Sequence, residues 1–168
     1  LSWIVALLLA VGFGACVAKG ANGPADPSLS SFPGFGKAGI EVVALADGSP
    51  VARRCALLAK TDAQRQRGLM KVTDLQGFAG MVFSFPRSVT ETFYMKDTPM
   101  ALTVAFFDSR GRFVSSADMK PCLESANCPT YAAANPYKTA LEVPQGGLAA
   151  LHVDSTTRLH VTAACPSR

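Results

Sequence analysis

The chain has 168 residues, 17% of them charged and 49% apolar, with a formal charge of +4. One domain is the natural size for such a chain once any targeting segment is set aside. Its basic residues are scattered, with Arg53-Arg54 the only adjacent pair, which argues against a nucleic-acid partner, whose footprint is a dense basic stripe.

Residues 1–18 carry no charge, and small residues Gly12, Gly14 and Ala15 follow the apolar run and precede Cys16. An apolar core followed by small residues is the layout of a secretory signal. Phe13-Gly14-Ala15-Cys16 resembles a bacterial lipoprotein signal, in which the cysteine becomes the lipid-bearing first residue, although Phe13 stands where Leu is usual and no basic residue precedes the run. A plain cleaved signal is one alternative. An uncleaved anchor is the other, for which about 18 residues is barely enough. All three readings place the domain outside the cytoplasm, exported to the cell envelope and held at a membrane in two of them. Residues 19–38 repeat Gly, Pro and Ser with few large apolar side chains before Phe32, the composition of a flexible linker. The folded domain is expected over 39–168.

Short β-like runs then alternate with turns. Runs 40–45 and 51–59 flank Asp47-Gly48-Ser49-Pro50, a hairpin signal. Further runs lie at 81–85, 92–95, 102–107, 113–117, 139–143 and 159–163. Asp108-Ser109-Arg110-Gly111 joins two of them tightly. Thr61 or Asp62 can cap a short helix over 63–69, and 147–151 suits another helical turn. Eight short strands around one core predict an all-β domain with one or two short helices, a compact jelly-roll-like β-sandwich or barrel.

With Cys16 assigned to lipid, Cys55, Cys122, Cys128 and Cys165 remain, an even number for an oxidising compartment. Cys122 and Cys128, bracketed by Pro121 and Pro129, suit a locally closed loop. Cys55 and Cys165 lie near the two ends of the domain, where terminal strands are often neighbours. Zinc would require paired Cys-x-x-Cys or Cys/His units, and His152 and His160 form no such paired unit with the cysteines. Five methionines between Met70 and Met119 raise copper, but apolar neighbours fit core filling better. No metal or other cofactor is expected.

The middle of the chain carries Gln66-Arg67-Gly68-Leu69-Met70, Gly80-Met81-Val82-Phe83-Ser84-Phe85 and Phe93-Tyr94-Met95-Lys96-Asp97-Thr98. Pro121-Cys122, Cys128-Pro129-Thr130-Tyr131 and Ala140-Leu141-Glu142-Val143-Pro144 follow in order. Together these blocks resemble the domain of unknown function 192 family over residues 51–161. The resemblance implies a compact, often exported all-β domain with no established activity, its fold similar to a small jelly-roll-like sandwich. Tyr94 and Asp97 replace the family's usual Trp and Asn, and Leu102-Thr103 replaces Leu-Asp. A catalytic base could not be replaced by Thr103, which has no ionisable group, so the position is read as structural.

Arg67 could clasp a carboxylate or phosphate, or bond nearby carbonyls and fix the helix-to-strand corner. Lys96, Asp97 and Thr98 precede Pro99 on a loop that could bind a polar ligand, or simply cap its own turn. A Gly-x-Ser-x-Gly nucleophile elbow is absent from the sequence. The expectation is a non-catalytic binding or protein-interaction module of the cell envelope. Its site is expected at Arg67, Lys96, Asp97 and Tyr131, and its partner is an envelope protein or a small polar ligand. A hydrolase of envelope carbohydrates or esters is the alternative.

Overall fold

The alternation of apolar and polar residues that begins near Gly36 becomes a ladder of strands in the computed structural model, which describes residues 32–123 and 127–166. The expected leader, Cys16 and linker residues 19–31 lie outside the described residues. Order begins earlier than expected, because Phe32 is buried in the core and strand β1 (Gly36–Ala44) starts within the expected linker.

β1 pairs antiparallel with β2 (Pro50–Ala59) across the Asp47-Gly48 turn. Helix α1 (Asp62–Arg67) and the segment after it carry the chain over the sheet to β3 (Met81–Val89), which pairs with β2 in parallel. The two-residue strands β4 (Phe93–Tyr94) and β7 (Thr130–Tyr131) form a separate ribbon. β5 (Leu102–Phe107), β6 (Phe113–Met119) and β8 (Tyr137–Pro144) complete one side of the main sheet. Helix α2 (Gly147–Ala150) leads to β9 (Thr157–Thr162). The seven-stranded order is β6-β5-β8-β3-β2-β1-β9.

The sheet curls until its edge strands approach one another. An isolated bridge joins Arg112 to Arg158, and Leu159 N donates to Gly111 O at 2.8 Å. Contact at one point leaves the structure sandwich-like rather than a closed barrel, and the fold is mostly β with two short helices, as the sequence predicts.

Each central strand feeds two apolar layers because its side chains alternate between faces. Leu57, Met81, Phe83, Val104, Phe106 and Ala140 belong to one layer. Ala56, Leu58, Val82, Ala105, Leu141 and Val143 belong to the other. β5 is accordingly buried along its whole length, as a strand covered on both faces should be. Met81, Met95 and Met119 are buried in the first layer, where a flexible thioether fills core space.

Candidate ligand-binding cleft

α1 is short, so its ends decide its position. Thr61 Oγ1 accepts from Gln64 N at 3.2 Å, and Gln64 Oε1 accepts from Thr61 N at 3.0 Å, a reciprocal capping box. Gly68 terminates the helix at φ 46° and lies against the Phe83 ring. Glycine occupies this left-handed conformation without the penalty of a Cβ.

Below this corner lies a cleft of about 430 Å3. α1 and the turn after it form one wall, with Asp62, Arg65, Arg67 and Leu69. Glu91, Thr92, Phe93 and Tyr94 form a second, and Phe83, Phe85 and Glu142 come from the sheet. The aromatic rings brace one another edge to face. Phe83 and Phe93 have centroids 4.9 Å apart, and Phe85 and Tyr137 5.4 Å apart.

Glu142 is the unusual lining residue. It sits in β8 opposite Met81 on β3 and Val104 on β5, two apolar neighbours. Only 4% of it is exposed, and no described residue hydrogen-bonds or ion-pairs with its carboxyl. Burial alone raises its pKa to about 8, so the group is mostly neutral at pH 7.

The two arginines of the rim are already engaged. Arg65 reaches Asp62, the Lys60 carbonyl and, at 2.9 Å, the Ser84 carbonyl, with its guanidinium 4.8 Å above the Phe85 ring centroid. Arg67 donates to Pro33 O at 2.6 Å and lies 3.9 Å over Phe35. Its guanidinium therefore straps residues 32–35 to the end of α1, assisted by Gln64 Nε2 on Gly34 O.

Of the four residues singled out in the sequence, Arg67 lines the cleft, whereas Lys96, Asp97 and Tyr131 are not among the lining residues. The two segments do meet through Tyr94, whose hydroxyl donates to Gln66 O at 3.3 Å. They also meet through Lys71 N, which donates to Asp97 O at 2.7 Å. Asp97 has φ 54°, a conformation Asp and Asn tolerate best among non-glycine residues. Its N–H donates to Cys122 O at 3.0 Å. Lys96 is exposed and forms an isolated backbone bridge with Cys122. Tyr131 pairs with Phe93, and its hydroxyl accepts from Lys120 N at 3.1 Å. These three residues surround a backbone junction beside the cleft.

In the sequence, Glu142 stands out only as part of Ala140-Leu141-Glu142-Val143-Pro144. The available signal was a lone carboxylate within an apolar strand, which either faces solvent or is buried for a reason. The four cysteines among the described residues fall in two pairs at disulfide distance. Cα separations are 4.9 Å for Cys55 and Cys165 and 5.9 Å for Cys122 and Cys128. Such pairs point to an oxidising, extracytoplasmic setting. Among the described residues no helix is long and apolar enough to cross a membrane, and no group of three or more His, Cys, Asp and Glu could hold a metal ion.

Comparison with known proteins agrees with this architecture. Residues 43–161 match the model of the family described as an uncharacterised ACR, domain of unknown function 192. A structure titled as a candidate transcription regulator of Sinorhizobium meliloti superposes with a TM-score of 0.63 at 23% identity, over 76% of this chain and 95% of that one. A protein of unknown function from Novosphingobium aromaticivorans gives 0.60 at 25% identity, over 73% and 83%. The first likeness is one of fold alone. No curated protein matches the chain.

Proposed function

Because the chain belongs to the domain of unknown function 192 family, whose description supplies no activity, we propose a function from the cleft itself: an extracytoplasmic domain that binds a small organic ligand between α1 and the sheet. The observation that carries this reading is Glu142, a buried carboxyl without a protein partner that lines an open cleft. Burial disfavours the charged form of this carboxyl, and a ligand that brings a donor or a counter-charge to it relieves that cost. Aromatic side chains set among a few placed polar groups are the usual make-up of a small-molecule site, and here Phe83, Phe85 and Phe93 stand with Glu142 and a polar rim from α1 and the segment before β4. Export and lipid attachment at Cys16 would place this cleft at the envelope, and the cysteine pairs support that setting.

Two-dimensional NMR titration with amine, alcohol and carboxylate fragments tests the proposal. A binder should perturb amides at 66–70, 83–85, 92–94 and 142. Shifts confined to other surfaces, or no binding by any class, would overturn the reading.

The raised pKa of Glu142 favours one second reading, a hydrolase of carbohydrates or esters. A carboxyl still protonated at neutral pH can act as a general acid, and Glu91 lines the same cleft. Turnover of p-nitrophenyl glycosides or esters that disappears in Glu142→Gln would select it over simple binding.

A further inference from the structure

Accepting the cleft as a ligand site, we infer that it selects an organic cation: a primary ammonium attached to an apolar or aromatic body, with Glu142 as its counter-ion. The inference starts from what the carboxyl lacks. Every protein group near it in the sheet is apolar or already bonded, and no N–H or O–H of a described residue reaches it. A ligand that brings the donors draws the carboxyl into its charged, accepting form. An ammonium carries three donors and no acceptor, which matches a carboxylate that only accepts. A neutral alcohol brings one donor, and an anionic ligand brings like charge into a buried site.

The surrounding walls favour the same choice. Phe83, Phe85 and Phe93 line the cleft, and the face of an aromatic ring attracts cations. The protein already uses ring faces in this way, with Arg65 over Phe85 of the cleft itself and Arg67 over Phe35 beside it.

The charged and titratable groups of the cleft do not oppose a cation. α1 contributes Asp62, Arg65 and Arg67, the segment between β3 and β4 contributes Glu91, and β4 contributes Tyr94. Met81 and Val104, the residues flanking Glu142 on β3 and β5, carry no charge. Two acids thus balance two arginines, and both arginines are bonded to carbonyls or to Asp62.

Entry of the cation changes the proton inventory. The Glu142 carboxyl releases its proton to solvent, and the ammonium N–H groups then donate to the carboxylate oxygens. Binding therefore tightens as pH rises towards the pKa of the free site, about 8, by roughly tenfold per pH unit well below it. Above that value the affinity levels off, since an alkylammonium, like a lysine, keeps its charge there.

Phenethylammonium, 2-phenylethanol and phenylacetate share a ring and differ in the polar end, so they make a suitable probe set for the full folded domain. Calorimetry at pH 6, 7 and 8, with NMR to locate the site, should show phenethylammonium bound in the cleft at least tenfold more tightly than the other two. Its affinity should rise with pH and its binding should release protons. Glu142→Gln keeps the side-chain shape, and its fold can be checked from the same spectra. It should lose tenfold or more in phenethylammonium affinity together with the pH dependence. Equal or tighter binding of the alcohol or the acid in the cleft would overturn the cation assignment while leaving a ligand site. Unchanged amine affinity in Glu142→Gln would do the same. If none of the three binds, the cation assignment falls, and failure of the wider fragment titration would remove the ligand site as well.

Discussion

A carboxyl that burial keeps protonated links stability to pH in the opposite sense from an acid held by a salt bridge. The unfolded chain releases the Glu142 proton near 4.5 and the folded chain near 8. Between those values the folded state binds more protons, so the stabilisation is fully present below about 4.5 and lost by 8. The slope reaches about 1.4 kcal/mol per pH unit. Urea midpoints measured at pH 5 and pH 8.5 should therefore fall steeply for the wild type and much less for Glu142→Gln. Parallel falls in both proteins would show that another group sets the dependence. Other single positions explain departures from the family pattern. Thr103 is buried and donates to Asp118 Oδ1 at 2.6 Å, and Gln145 Nε2 donates to the other oxygen at 3.2 Å. Asp118 is the cross-strand register partner of Thr103. The acid that the family resemblance puts at 103 is thus supplied one strand away, and a hydroxyl suffices beneath it. Gly80 is required for space, because a Cβ there would lie 1.9 Å from the Glu142 carbonyl oxygen.

At the scale of elements, the end of α1 carries more than its length suggests. Arg67 ties residues 32–35 to the helix through the Pro33 carbonyl and the Phe35 ring. A net hydrogen bond and an exposed cation–π contact are each worth about 1 kcal/mol. Arg67→Ala should lower stability by about 1–2 kcal/mol and open the chain before Gly36 to protease. Limited proteolysis with N-terminal sequencing, beside a thermal melt, checks both effects, and an unchanged cleavage pattern would show that the strap holds without Arg67. Most strands were legible because their apolar runs end at turns such as Asp47-Gly48 and Asp108-Gly111. α1 was legible from the Thr61 cap. β7 was not, since two residues contain no period, and Pro129 before it reads as a loop. The cleft was only half legible. Arg67 stands out as a charge in a motif, whereas Glu142 becomes meaningful only once β3 and β5 bury both sides of β8. Antiparallel pairing of β8 with both β3 and β5 creates that burial, and strand pairing at such a distance is not written in local pattern.

Across the whole molecule, the sheet is held at its seam by groups from the two ends of the described chain. β1 lies between β2 and β9, and Gly39 pairs with Cys55 on one side and Thr162 on the other. The residues after β9 turn back over this glycine so closely that a Cβ on it would lie 2.2 Å from the Ala164 carbonyl oxygen. That turn brings Cys165 beside Cys55, 110 residues away in sequence. A crosslink of this span removes much of the freedom of the unfolded chain, and bridges in small domains typically contribute 2–5 kcal/mol. The Cys122–Cys128 pair encloses a separation of only 6 residues, and loop entropy gives such a ring roughly 2–2.5 kcal/mol. The two bridges should therefore differ in reach as well as size. Replacing Cys55 and Cys165 with Ala should cost more than replacing Cys122 and Cys128. It should also loosen β9 first, because β9 is an edge strand that pairs along its length only with β1 and otherwise meets the turn before β6 through the single Arg112–Arg158 bridge. Amide exchange at His160 and Thr162, which pair with Glu41 and Gly39 of β1, should accelerate in the first double variant, and in the wild type under reductant, while β5 and β8 remain protected. Equal exchange at β9 with and without the crosslink would mean that hydrogen bonding to β1 alone keeps the seam closed. Acceleration would mean that the fold depends on an oxidising compartment to keep its edge strand in place.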